Sequence, residues 1–165
     1  MKKNAHGFSL IELLIVVAII LIIAAIAIPN LLRSRMAANQ ASAVGSLRTY
    51  NTAEITYALT FNSGYSSTLL YLGPPAWGSL PTSTAAGLVD SILSGGGSNS
   101  CVKSGYVFTY SPGTAVSNRI DQFSFTASPT TPGTTGTNFY FSDESGVIRQ
   151  NSTDTATSAD SPIAG

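Results

Sequence analysis

The sequence predicts an α+β fold in which one long N-terminal helix, hydrophobic in its first half and amphipathic in its second, packs on a small four-stranded antiparallel sheet. Two observations carry that expectation. An unbroken apolar run near the N-terminus passes into a stretch whose apolar residues recur at helical spacing, and after a glycine triplet the apolar period drops to two. Helix first and short strands afterwards, joined by turn residues, is the order of a segregated α+β domain.

Every residue in 13–28 is Leu, Ile, Val or Ala, with Phe8, Leu10 and Ile11 before the run and Leu31 and Leu32 after it. As a helix, about 25 mostly apolar residues rise roughly 37 Å, enough for a hydrocarbon core of about 30 Å. A cleaved secretory signal is the competing reading, because Lys2 and Lys3 supply a positive start and Ala25-Ile26-Ala27 resembles a small-residue cleavage site. The apolar run exceeds the roughly 7–15 residues of such a signal's core, and Glu12 sits near its beginning. A carboxylate there costs a few kcal/mol unless it reaches the headgroups or finds a partner. Pro29 ends the uninterrupted run; it has no N–H for the Ala25 carbonyl, which predicts a kink with helix resuming beyond it.

Residues 33–60 contain no proline, and Met36, Val44, Leu47, Ile55 and Leu59 recur at helical spacing, so the helix is expected to continue with one face on the core. Asn62-Ser63-Gly64 supplies its stop. The Gly-, Pro- and aromatic-rich stretch 65–81, with Trp77, reads as a loop. Thr84 is expected to cap a short helix through Leu88, Val89, Ile92 and Leu93, closed by Gly95-Gly96-Gly97. Strands are expected over 106–110, 123–126, 139–141 and 147–149, separated by Ser111-Pro112-Gly113, by 129–137 and by Asp143-Glu144-Ser145-Gly146. Short links of this kind favour an antiparallel meander. The last residues, 151–165, read as a polar, mobile end.

Composition narrows the function. Charged residues make up 10% of the 165, against roughly 25% in typical soluble proteins. Eight Lys plus Arg balance eight Asp plus Glu, so no nucleic-acid partner is expected. Cys101 is the one cysteine, which rules out an intrachain disulfide and a cysteine metal cluster. His6 is the one histidine and falls in the polar leader, leaving the rest of the chain without a histidine base or ligand. Asp121, Asp143 and Glu144 do not form a calcium-loop pattern, and the glycine triplet is not followed by the Lys-Ser/Thr of a phosphate loop. No metal, cofactor or catalytic constellation is therefore expected, and the chain does not read as an enzyme.

The residues Gly7-Phe8-Ser9-Leu10-Ile11-Glu12-Leu13-Leu14-Ile15 resemble the type III signal of type IV prepilins and type II secretion pseudopilins. The resemblance implies that a prepilin peptidase cuts between Gly7 and Phe8 and methylates the new N-terminal residue, Phe8. It also implies that Glu12 pairs with the N-terminal ammonium of a neighbouring subunit during assembly. Opposite charges in a low dielectric make that pairing favourable where each alone is penalised. The stretch around Pro29 is implied to lose helix in the filament. Segment by segment, the chain divides into a cleaved leader (1–7), a transmembrane and assembly helix (8–32), a pilin-like head (33–150) and the polar tail (151–165).

The implied function is a structural subunit of a pilus or pilus-like filament. Implied partners are further copies of the chain, minor pilins or pseudopilins, the prepilin peptidase, membrane lipid, and an inner-membrane assembly platform with its ATPase. The implied location is the bacterial inner membrane, crossed once, and then a surface pilus. A periplasmic pseudopilus is the alternative within the family, and a single-pass anchored binding domain is the alternative outside it. Many pilins close their C-terminal region with a disulfide. A lone Cys101 cannot do so, and that departure leans toward a pseudopilin or a minimal pilin.

Overall fold

The computed structural model describes residues 8–163; the leader, with Lys2, Lys3, His6 and Gly7, lies outside the described residues. A single helix, α1, runs Leu10–Phe61 and continues through Pro29. The chain divides into two compact units, Met1–Arg35 and Met36–Gly165.

In the second unit α1 buries Ala43, Ser46, Leu47, Tyr50, Asn51, Ala53, Glu54 and Tyr57, a run of three- and four-residue steps that keeps one stripe inward. Two residues expected on that stripe lie elsewhere, since Ile55 is 48% and Leu59 80% exposed. Both stand two residues from Tyr57, and two helical steps turn a side chain about 200° away. The face that carries Leu47, Tyr50 and Tyr57 buries the larger apolar surface, and Ile55 and Leu59 point outward as a result.

The sheet has five strands, not the expected four, in the order β1-β2-β3-β4-β5. They are β1 Ser100–Lys103, β2 Tyr106–Pro112, β3 Phe123–Pro129, β4 Phe139–Asp143 and β5 Arg149–Asn151. Every neighbouring pair is antiparallel, which is the expected meander. The additional strand, β1, is short and mixed in polarity, so its own residues announce little. A two-residue turn joins it to β2, with Ser104 at φ 50° and Gly105 at φ 72°, the positive-φ pair that matches the twist of a tight hairpin. In β2 and β3 alternate side chains turn inward, and the register sets Phe108 opposite Ala127 and Tyr110 opposite Phe125. Tyr50 of α1 stacks on Phe125 with ring centroids 4.3 Å apart, so the helix meets the sheet through aromatic contact.

No helix forms over 84–93. Its backbone donors are used elsewhere: the N–H groups of Ala86, Gly87 and Leu88 bond the carbonyls of Tyr71, Gly73 and Leu72 at 2.8 Å. Gly87 sits at φ 69°, outside the helical region. The helical turn in this part of the chain is instead α2, Leu69–Leu72, and Gly95–Gly97 makes one 3-10 turn. Beyond β5 the chain returns alongside it. Gln150 N–H donates to Ser161 O at 3.0 Å, Ile163 N–H to Ile148 O at 2.9 Å, and Ala156 is 1% exposed.

Candidate functional site

Of the four processing and assembly residues expected from sequence, Phe8, Glu12 and Pro29 are described, all in the N-terminal unit. Gly7 lies outside the described residues. Phe8 is 75% exposed. Ser9 immediately precedes α1, and Glu12 is the third residue of the helix. The Ser9 N–H donates to Glu12 Oε2 at 3.0 Å. Ser-x-x-Glu is the spacing of a capping box, in which the acidic side chain reaches back to a backbone donor that the helix itself leaves without a partner. The carboxylate also faces the positive end of the helix dipole. Within its own chain, then, Glu12 has a backbone partner. Sequence reasoning missed Ser9, although its spacing from Glu12 is legible.

From Leu10 to Leu32 the large apolar side chains are exposed on every side, Leu10 at 80% and Leu31 at 69% among them. None of the most apolar stretch of α1 is buried among the described residues. A helix that is apolar all round and uncovered by its own chain is stable only in lipid or among other helices. Pro29 lies inside this helix, where the Ala25 carbonyl loses its usual donor. Four residues past Asn30, the Ser34 hydroxyl donates to the Asn30 carbonyl at 3.0 Å, a back-bond of the kind that bends helices.

In the second unit, two of the three acids singled out from sequence, Asp121 and Asp143, have local partners. Arg119 Nε donates to Asp121 Oδ1 at 2.6 Å and Lys103 Nζ to Asp90 Oδ2 at 3.1 Å. Asp143 Oδ1 accepts from both the backbone N–H and the hydroxyl of Ser145. Among the described residues, no three His, Cys, Asp or Glu side chains are placed to hold a metal ion. Cys101 is buried with Sγ 3.1 Å from the Tyr50 hydroxyl, and burial pushes its thiol pKa up, which leaves it in the unreactive protonated form.

Glu54 is the buried acid that sequence reasoning missed. It is fully buried, and its carboxylate accepts the Ser66 N–H at 2.9 Å and the Ser66 hydroxyl at 2.7 Å. The Tyr110 hydroxyl completes the cluster by donating to Ser66 O at 2.6 Å. Burial raises the Glu54 pKa and the Ser66 bonds pull it back only in part. The cluster fastens the last turns of α1 to the segment that follows the helix and to β2. Position 54 falls four residues after Tyr50 and three before Tyr57, so its inward direction could have been read from the sequence.

The prokaryotic N-terminal methylation motif family matches residues 2–28, the stretch that contains Gly7, Phe8 and Glu12. The type IV wide pilus major component PilA4 of Thermus thermophilus is 39% identical over 106 residues, covering 63% of this chain and 76% of the relative. No solved structure matches the chain. A methylation-type N-terminus, an uncovered apolar helix and a relative that extends into the head lead to one assignment: the chain belongs to the type IV pilin family.

Proposed function

We propose that the chain is a structural subunit of a type IV pilus, cut by a prepilin peptidase between Gly7 and Phe8, methylated at Phe8, and polymerised through α1. The observation that carries this reading is the Leu10–Leu32 surface, whose large apolar side chains are exposed on every side among the described residues. Lipid covers such a surface while the subunit waits in the inner membrane. Once the helix leaves lipid, packing among identical helices buries the same area again. The relative's designation as a major pilus component favours a pilus over a periplasmic pseudopilus.

Glu12 supplies the register. In the single chain its carboxylate is held by the Ser9 N–H, a neutral donor that satisfies one lone pair without supplying an opposite charge. In the filament, the methylated ammonium of Phe8 from a neighbouring subunit provides the opposite charge, removing two desolvation penalties together. Pro29, with the Ala25 carbonyl lacking its donor, is the place where the packed helix opens and the filament extends. Partners in this scheme are identical and minor pilins, the peptidase, and an assembly platform driven by its ATPase.

Mass spectrometry of the native chain tests the processing step: the expected N-terminal peptide begins at N-methylated Phe8. A chain that keeps residues 1–7 points to an anchored domain and overturns the filament reading. Surface fibres seen by electron microscopy and lost on deletion are expected, whereas filaments confined to the periplasm would indicate a pseudopilus.

A further inference from the structure

A cleft of about 410 Å³ in the second unit lies between the segment that follows α1 and the connection from β2 to β3, and its lining includes Tyr57, Ser63, Tyr65, Ser67, Tyr71 and Asn118. That volume falls within the range of small-ligand sites. The two walls are tied together, since Tyr65 N–H donates to Ile120 O at 2.8 Å. Gly64 makes this approach possible: it sits at φ 79°, and a Cβ there would collide with the Ile120 carbonyl.

The walls are also stiff. Ser117 and Asn118 hold positive φ, 51° and 63°, in a two-residue turn closed by reciprocal bonds between Val116 and Arg119 at 2.9 and 3.0 Å. This holds Asn118 at the rim. Tyr65 is braced edge-on by Phe123, with ring centroids 4.6 Å apart. Tyr57 is committed to the fold, its hydroxyl donating to Ser83 O at 2.6 Å. Pre-set walls lower the ordering cost of binding.

The chemistry of the lining selects the ligand. It contains no Lys, Arg, Asp, Glu or His, and the neighbouring Arg119 and Asp121 are paired with each other at 2.6 Å, so the lining itself selects for neither an anion nor a cation. Apolar surface other than tyrosine is limited to Ala115 and Ile120, too little to anchor a hydrophobic peptide. Phenol rings, aliphatic hydroxyls and a carboxamide fit a ligand with C–H faces and hydroxyl edges, and Tyr, Ser and Asn together form adaptable polar recognition surfaces elsewhere. Among the described residues, the side chains of Ser67, Tyr71 and Asn118 have no hydrogen-bond partner in the protein.

We propose that this cleft binds a neutral pyranose unit, with Tyr65 and Tyr71 offering ring surface and Ser67 and Asn118 offering hydrogen bonds. The test uses the full chain in a sugar-free detergent, lauryldimethylamine oxide, followed by amide NMR during titration with D-glucose, D-galactose and N-acetyl-D-glucosamine. Glycerol serves as the control polyol. At least one sugar is expected to shift amides in 63–71 and 115–120 saturably, with a Kd of about 1 mM, the order set by a ligand of about a dozen heavy atoms. Tyr71→Ala and Asn118→Ala should each weaken that binding about tenfold, and Tyr71→Phe, which keeps the ring, by less. Amide dispersion reports whether each variant is folded; if Tyr71→Ala is not, Tyr71→Phe and Asn118→Ala decide. The proposal is overturned if no sugar gives saturable shifts up to about 100 mM, roughly a hundredfold above that Kd. It is equally overturned if glycerol reproduces the shifts or if the folded variants bind as the parent does.

Discussion

In residues 10–32, α1 exposes Leu, Ile and Val on every side, whereas in residues 43–57 the same helix buries Tyr, Ser, Asn and Glu. Hydropathy alone would assign these fates the other way round. The difference shows that burial follows from what can be laid over a side chain and not from how apolar that side chain is. Among the described residues, none of the first half's apolar stretch is buried. The second half meets a sheet whose inward residues are Tyr106, Phe108, Tyr110, Phe123 and Phe125, and those aromatics accept polar groups that bring their own hydrogen bonds. Glu54 and Ser66 are buried as a bonded pair, while Ile55, on the helix beside Glu54, stays half-exposed.

The contrast can be broken most strongly at Tyr50, which is fully buried, stacked on Phe125 and hydrogen-bonded to Leu93 O at 2.7 Å. Tyr50→Ala should destabilise the head by about 3–5 kcal/mol, measured by denaturant unfolding of the full chain in detergent. In the other half of the helix, Glu12→Val should leave membrane insertion intact while lowering the yield of sheared filaments about tenfold or more. Unchanged filament yield would remove Glu12 from assembly and leave it only the helix-capping bond to Ser9.

A finer test lies in the pH dependence of the head. Burial lifts the Glu54 carboxyl above its ordinary value of 4.5, so the neutral acid's contribution to stability is whole below that value and is lost as pH rises through the raised one. Glu54→Gln does not titrate, and its stability relative to the native chain should therefore rise with pH across that window. Parallel unfolding profiles for the two chains would show that the carboxyl keeps its ordinary pKa. The smallest effect is expected at Leu59, 80% exposed, where Leu59→Ala should change head stability by no more than about 0.5 kcal/mol. A larger loss would mean that the outer face of the helix is covered after all.

The long helix, its passage through Pro29, the antiparallel meander and the N-terminal pattern around Phe8 and Glu12 were all legible, because each rests on neighbours in sequence. β1 was not: Ser100-Cys101-Val102-Lys103 is a strand only because Ser104-Gly105 folds it against β2. The helix expected over 84–93 failed for the opposite reason. Its residues satisfy local helix rules, yet their donors are taken by carbonyls of 71–73, a pairing across more than a dozen residues that no local rule contains. The Ser9 to Glu12 bond was readable from spacing, and so was the inward direction of Glu54.

By itself the sequence determined that residues 10–32 form a helix too apolar for water, that one carboxylate sits in its first turn, and that a helix precedes a sheet. These are consequences of period, length and charge along a continuous stretch, and no distant residue is needed to produce them. Only the tertiary structure decided which face of residues 43–57 turns inward, that Glu54 is shut away with Ser66 and Tyr110, and that the segment after α1 meets the β2–β3 connection in a tyrosine-lined cleft. Those outcomes depend on competition for the same interior space and the same backbone donors between segments far apart in the chain. That competition is settled by packing and hydrogen-bond satisfaction together.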